Sequence, residues 1–210
     1  MAYVVGLMAS DGCLSPDGRH LFFTSNNLDL IQTLKKCLAI KNRVSKKKSG
    51  FTGRSNGYQL QFGDVTFYRF LLSIGLTPRK SRTLGKLSIP PNFFADFLRG
   101  LFDGDGTVYA YWDPRWRSSF MFYVAFATAS AQFAKWLVKA TQQTIGAKGH
   151  VTSGSGAYQA KFSKHEARKI LTAFYQDSAS PHLARKKQKA LAILWEDPYP
   201  AGYCASGATG

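Results

Sequence analysis

The strongest constraint on this chain is that it repeats itself. The segment "VVGLMASDGCL" (residues 4–14) aligns with "LRGLFDGDGTV" (residues 98–108). Gly6 matches Gly100, Leu7 matches Leu101, Asp11 matches Asp105, and Gly12 matches Gly106. Asp103 falls opposite Ala9, so only the second carboxylate of the later copy is shared. The parallel continues from "LFFTSNNLDLIQTLKKCL" to "YVAFATASAQFAKWLVKAT", and from "GYQLQF" to "AYQAKF". A duplicated unit of this kind predicts two like halves related by a pseudo-twofold axis.

Each copy reads as helix, strand pair, helix, strand pair, helix, and then a basic segment read as a further helix: "PRKSRTL" (78–84) and "PHLARKKQKAL" (181–191). Asn27 and Ser130 stand where an N-cap belongs. The expected organisation is a first repeat over 1–84, a connector over 85–96, a second repeat over 97–195 and a flexible tail over 196–210. Pro90 and Pro91 exclude a continuous helix through the connector. The expected fold class is α/β with pseudo-twofold symmetry.

Gly6 and Ser10 stand four apart, as do Gly100 and Gly104. Small residues at that spacing strip one helix face of bulk and let another backbone approach, so these two helices are expected to form the seam. Asp11 and Asp105 then lie at helix C-termini, the end disfavoured for a negative charge by about 0.3–1 kcal/mol. Two copies of the same unfavourable choice point to a cation between them. Oxygen donors without a His/Cys cluster favour Mg²⁺. An EF-hand starting at Asp103 is excluded, because its twelfth position is Pro114.

The 28 Lys+Arg against 12 Asp+Glu give a net charge of +16, with 14 basic residues in each half. A charge so large and so evenly spread points to a polyanion, above all nucleic acid. No apolar run is long enough to span a bilayer, and the N-terminus lacks the marks of a signal peptide. Cys13, Cys37 and Cys204 form no C-x-x-C pair. An odd, sparse count suits an intracellular, reducing setting, cytoplasmic or organellar.

These residues carry a family resemblance. The paired "VVGLMASDG" and "LRGLFDGDG", the connector and the closing "PHLARKKQKA" resemble the LAGLIDADG homing endonucleases in their monomeric, two-motif form, over residues 3–195. The resemblance implies an α/β fold in its α+β form, a duplicated αββαββα repeat with saddle-shaped antiparallel sheets over a two-helix seam, and divalent-metal hydrolysis of both strands of a long double-stranded DNA target across the minor groove, leaving short 3′ overhangs. It implies Asp11 and Asp105 as catalytic metal ligands, with Gly12 and Gly106 beside them at the metal. It implies Mg²⁺, with Mn²⁺ or Ca²⁺ able to substitute for binding. Lys80 and Lys186 would polarise the scissile phosphate or its water network. Ser25 and Thr128 fall where the family places a water-positioning residue, often glutamine. An intron or another mobile element is the expected origin, with intron RNA as a further possible partner. Two rival readings share the fold: an RNA maturase that assists splicing, and a non-catalytic DNA-binding regulator. The first would keep the basic surface without needing both acids. The second would typically lose an acid or a lysine.

Strand alternation assigns the faces. Tyr58, Leu60 and Phe62 share one side, and Gln59 and Gln61 the other; Gln159 and Lys161 face out from "YQAKF". Gln can read adenine, and Lys can read guanine or hold phosphate. Arg19, Lys46, Lys47, Lys48, Arg54, Arg115 and Arg117 complete the expected DNA contacts, most of them to phosphates. Trp136 reads as core. His20, His150, His165 and His182 share no metal-site spacing.

Overall fold

A computed structural model describes residues 1–48, 55–116, 119–154 and 156–196. Helix α1 (Ala2–Ser10) leads into β1 (Gly12–Leu14) and β2 (His20–Ser25). Then come α2 (Leu28–Leu38), β3 (Val44–Lys48), β4 (Ser55–Gly63) and α3 (Val65–Ser73). The second half repeats the order with α4 (Phe94–Asp105), β5 (Gly106–Trp112), β6 (Phe120–Thr128), α5 (Ala131–Ile145), β7 (His150–Gly154), β8 (Ala157–Ser163) and α6 (Lys164–Tyr175), and adds α7 (Ala184–Glu196). The duplicated αββαββα architecture is therefore present.

Each half builds one antiparallel sheet, ordered β1-β2-β4-β3 and β5-β6-β8-β7. Leu21 pairs with Phe62 and Phe23 with Leu60; in the second sheet Val124 pairs with Phe162 and Phe126 with Ala160. All eight are buried, so one face of each sheet supplies the core and the other is left open. The expected caps form. Asn27 Oδ1 accepts from the backbone N–H of Asp29 at 2.8 Å, and Ser130 Oγ from that of Phe133 at 3.2 Å. Ser130 Oγ also donates to Leu84 O at 2.6 Å, fastening the end of the first repeat to the second.

The seam is α1 against α4. Tyr3 through Ala9 are all buried, because α1 has the other half of the molecule around it. Contact is backbone to backbone. A Cβ on Gly6 would collide with Phe97 O and Leu101 N, one on Gly100 with Tyr3 O, and one on Gly104 with Ser10 Oγ. Trp136 packs against Phe94, Phe97 and Phe133, as core.

One element departs from the sequence reading. Residues 78–83 are turns and not a helix. Only a single α-turn closes, with Leu84 N donating to Lys80 O at 2.8 Å, and Arg79 adopts φ 55°. Leu76, Leu84 and Leu87 are all buried and draw the chain across the core, leaving no room for a second turn before Gly85. The matching segment of the second half has a longer run that buries Ala190 and Ile193, and it becomes α7. Helix α4 begins at Phe94, after a single 3-10 turn at Pro91–Phe93. Among the described residues no helix is long and apolar enough to cross a membrane.

Overpacking at the seam cannot be relieved by a side chain, since the obstructing atoms are backbone. Gly6→Ala and Gly100→Ala should each cost about 3 kcal/mol or more in urea unfolding. Gly154→Ala, where an added Cβ meets nothing within 4 Å, should cost less than about 0.5 kcal/mol.

Candidate active site at the helix seam

Close packing of α1 on α4 sets their C-terminal ends side by side. Asp11 is the C-cap residue of α1 and Asp105 the last residue of α4. A carboxylate there meets carbonyl groups that have no intrahelical partner. Each helix end is met by the lysine of its own repeat. Lys80 Nζ donates to Ser10 O at 3.0 Å. Lys186 Nζ donates to Phe102 O at 2.5 Å, Gly104 O at 3.0 Å and Gly106 O at 2.6 Å. Both lysines are buried.

The four groups feel one another. Burial raises the Asp11 pKa to about 6, the Asp105 charge adds to the rise, and Lys186 and Lys80 oppose it. Burial also raises that of Asp105, opposed by Lys80 and Lys186, although the residue as a whole stays solvent-accessible at the rim. Burial lowers the Lys186 pKa to about 8 against the pull of Asp103, Asp11 and Asp105, and lowers that of Lys80 against Asp105 and Asp11.

Two carboxylates, Asp11 and Asp105, come from different repeats, and the buried Asp103 stands near them. Among the described residues no group of three or more His, Cys, Asp or Glu could hold a metal. The donor set fits Mg²⁺, which commonly takes one or two carboxylates and completes its shell with water and substrate phosphate. The raised Asp11 pKa marks a site where a further positive charge would be welcome. It fits neither zinc nor a protein-enclosed calcium site.

Gly12 and Gly106 open strands β1 and β5. An added Cβ would strike the Met8 and Phe102 backbones respectively, and the Gly106 carbonyl is held by Lys186. Ser25 and Thr128 occupy equivalent strand ends. Their hydroxyls accept from the backbone N–H of Asn27 at 3.1 Å and of Ser130 at 3.2 Å, shaping the turn into the next helix. Ser25, Asn26, Asn27 and Asp11 line a cavity of about 520 Å³ that Arg185 also borders.

Sequence reasoning gave Asp103 no counterpart in the first repeat and an incidental or supporting role. It is 1% exposed and central. Its Oδ2 accepts from Tyr3 Oη and from Leu183 N, both at 2.7 Å. Its Oδ1 has no hydrogen-bond partner among the described residues. Asp103 thus ties α1 to the residue that starts the turn into α7, the helix carrying Lys186. Beside it, Arg99 donates to Pro181 O, Phe174 O and Asp96. The single sequence signal was the alignment of Asp103 with Ala9, an acid present in one copy only.

The expected DNA contacts divide. Gln59, Gln61, Gln159 and Lys161 do face away from the core, on β4 and β8. Lys47 shares that face, donating to Thr24 Oγ1 at 3.5 Å. Lys46, paired with Tyr58, alternates to the opposite face. Arg19 is exposed in the β1–β2 turn. Arg115 is held by Asp113 through Nε–Oδ1 at 3.1 Å and Nη2–Oδ2 at 3.0 Å. Arg54, Arg117 and the Lys48 side chain lie outside the described residues, as does the tail from residue 197.

Two αββαββα halves joined at a glycine seam, with paired carboxylates and lysines at its end, define a duplicated α+β fold with one composite acidic site. No family model and no curated protein sequence matches the chain. Its fold is that of the LAGLIDADG homing endonucleases. The homing endonuclease I-WcaI, solved bound to its DNA recognition sequence, aligns with TM-score 0.65 at 12% identity over 90% of this chain and 84% of that one. I-DmoI in complex with DNA and Ca aligns with TM-score 0.55 at 14% identity over 91% and 95%; the same enzyme is also solved with DNA and Mn. The N-terminal LAGLIDADG domain of DUF199/WhiA aligns with TM-score 0.55 at 13% identity over 83% and 79%.

In metal-free solution the raised Asp11 pKa makes ionisation costly to the folded state. The cost appears as pH rises from about 4 to about 6 and is complete above that range. Asp11→Asn should therefore stabilise the metal-free protein at pH 7.5 by as much as about 3 kcal/mol. The gain should vanish near pH 4. Calorimetric melts of both proteins across this range check it.

Proposed function

We propose that the protein is a site-specific DNA endonuclease that hydrolyses both strands of a long duplex with divalent metal, Mg²⁺ being the expected ion, across the minor groove and leaving short 3′ overhangs. The observation that carries this reading is the meeting of Asp11 and Asp105, one from each repeat, with a buried lysine against each helix end. A double-strand cutter needs two hydrolytic centres close together, and a duplicated fold with its acids at the seam supplies them.

Asp11 and Asp105 would hold the metal, which when bound supplies charge stabilisation at the scissile phosphate and a more acidic water. Lys80 and Lys186 add fixed positive charge where negative charge develops. Gly12 and Gly106 start the strands that leave this site, and the Ser25 and Thr128 hydroxyls stand at the next strand ends, where water positioning is assigned to them. The open sheet faces and the +16 charge supply DNA affinity. Retention of both acids and both lysines favours hydrolysis over a purely regulatory or splicing role. The reading includes action as a monomer, since both half-sites are in one chain, and an origin in an intron or another mobile element.

Incubation with a randomised DNA library and Mg²⁺ should enrich one long target cut on both strands. Asp11→Asn and Asp105→Asn should each abolish double-strand cutting, or leave nicking of one strand, while binding persists. Undiminished double-strand cutting by Asp105→Asn would overturn the assignment.

A further inference from the structure

The two sheets share one topology, yet their open faces differ in chemistry. The first presents Phe22, Thr24, Gln59 and Gln61, with Lys47 reaching Thr24. Amides, a hydroxyl and an ammonium are readers by hydrogen bond. The second carries Gln159 and Lys161 on β8 and, beside them on β5 and β6, a stripe of tyrosines. Tyr109 and Tyr123 are directly opposed on β5 and β6, with stacked rings whose centroids are 5.2 Å apart. Tyr111 stacks on Tyr123 at 6.1 Å, and Met121 lies opposite Tyr111. Tyr123 and Tyr111 are hydrogen-bonded to each other through their side chains. That bond uses one of the hydroxyl protons, and the stripe sets three aromatic rings and a thioether beside the remaining hydroxyl groups. Lys161 places its ammonium 4.3 Å from the Tyr123 ring centroid, and the Arg115–Asp113 pair stands at the Tyr111 end of the stripe.

The major groove offers such a face one good partner. Among the base edges displayed there, the thymine 5-methyl is the apolar one. We infer that the Tyr109–Tyr111–Met121–Tyr123 face selects a thymine-rich half-site by contact with thymine methyl groups, while the Gln59–Gln61 face reads the other half-site by hydrogen bonds. This inference rests on the DNA-binding part of the function proposed above. Charge supports DNA over a protein partner for this face: the chain is strongly basic, and Lys161 sits on the stripe itself. Tyr111 is 43% exposed, so it can make contact without rearrangement of the core.

Replacing thymine by uracil removes only the methyl and leaves Watson–Crick pairing intact. Targets are first selected from a random library by binding to the full chain in Ca²⁺. Affinities are then measured for deoxyuridine substitutions confined to one half-site at a time. Selected targets should carry more thymine in one half. Uracil there should weaken binding about fourfold per contacted methyl, and less than about twofold in the other half. Tyr111→Ser, at an exposed position that folding tolerates, should reduce the uracil penalty. Equal penalties in both halves, no penalty, or no thymine bias overturns the inference; binding of a protein and no DNA selection would do so as well. Mg²⁺ added to the same complexes separates the two readings. A uracil penalty without cleavage defeats the endonuclease reading alone, and cleavage without a uracil penalty defeats this one alone.

Discussion

Helices α1 and α4 touch backbone to backbone at Gly6 and Gly100, and that contact decides where everything else can stand. With side chains at these positions the helices would have to separate. At closest approach their C-terminal ends fall together and bring Asp11 beside Asp105. The same ends expose carbonyl groups that require donors. Lys80 and Lys186 provide them, one from each repeat. Two acids and two ammonium groups are concentrated where helix dipoles favour only the latter.

The halves are alike in plan and unlike in support. Lys186 rests on three carbonyls, and its helix is anchored through Asp103 to Tyr3 of the other repeat. Lys80 rests on one carbonyl and is delivered by a turn. Asp103 is a positioning residue in this arrangement. Burial raises its pKa against the nearby Lys186 and Arg99 charges, and two short hydrogen bonds to one oxygen keep it in place.

Much of this was legible because it is local or repeated. The i, i+4 small residues foretold the seam, Asn27 and Ser130 foretold two helix starts, and alternation in "YQLQF" and "YQAKF" assigned the sheet faces. Duplication then singled out Asp11 and Asp105 among twelve acids. What escaped depends on partners far away in sequence. Asp103 has its meaning from Tyr3 and Leu183, about 80–100 residues distant. The helix expected over 78–84 yields to three leucines that each find the core. The Arg115–Asp113 pair is local, two residues apart, and leaves the Arg115 side chain exposed. Neither the lysine–carbonyl contacts nor the Lys161 ring contact has a pattern in the linear chain.

The central claim is that the seam makes Asp11 and Asp105 one electrostatic unit. Carbon-13 NMR titration of the Asp11 carboxyl in metal-free protein tests it most directly. The account predicts titration near pH 6 in the native chain and a lower value in Asp105→Asn, because one of the causes of the rise is gone. Titration of Asp11 at the ordinary aspartate value, unmoved by Asp105→Asn, would contradict it.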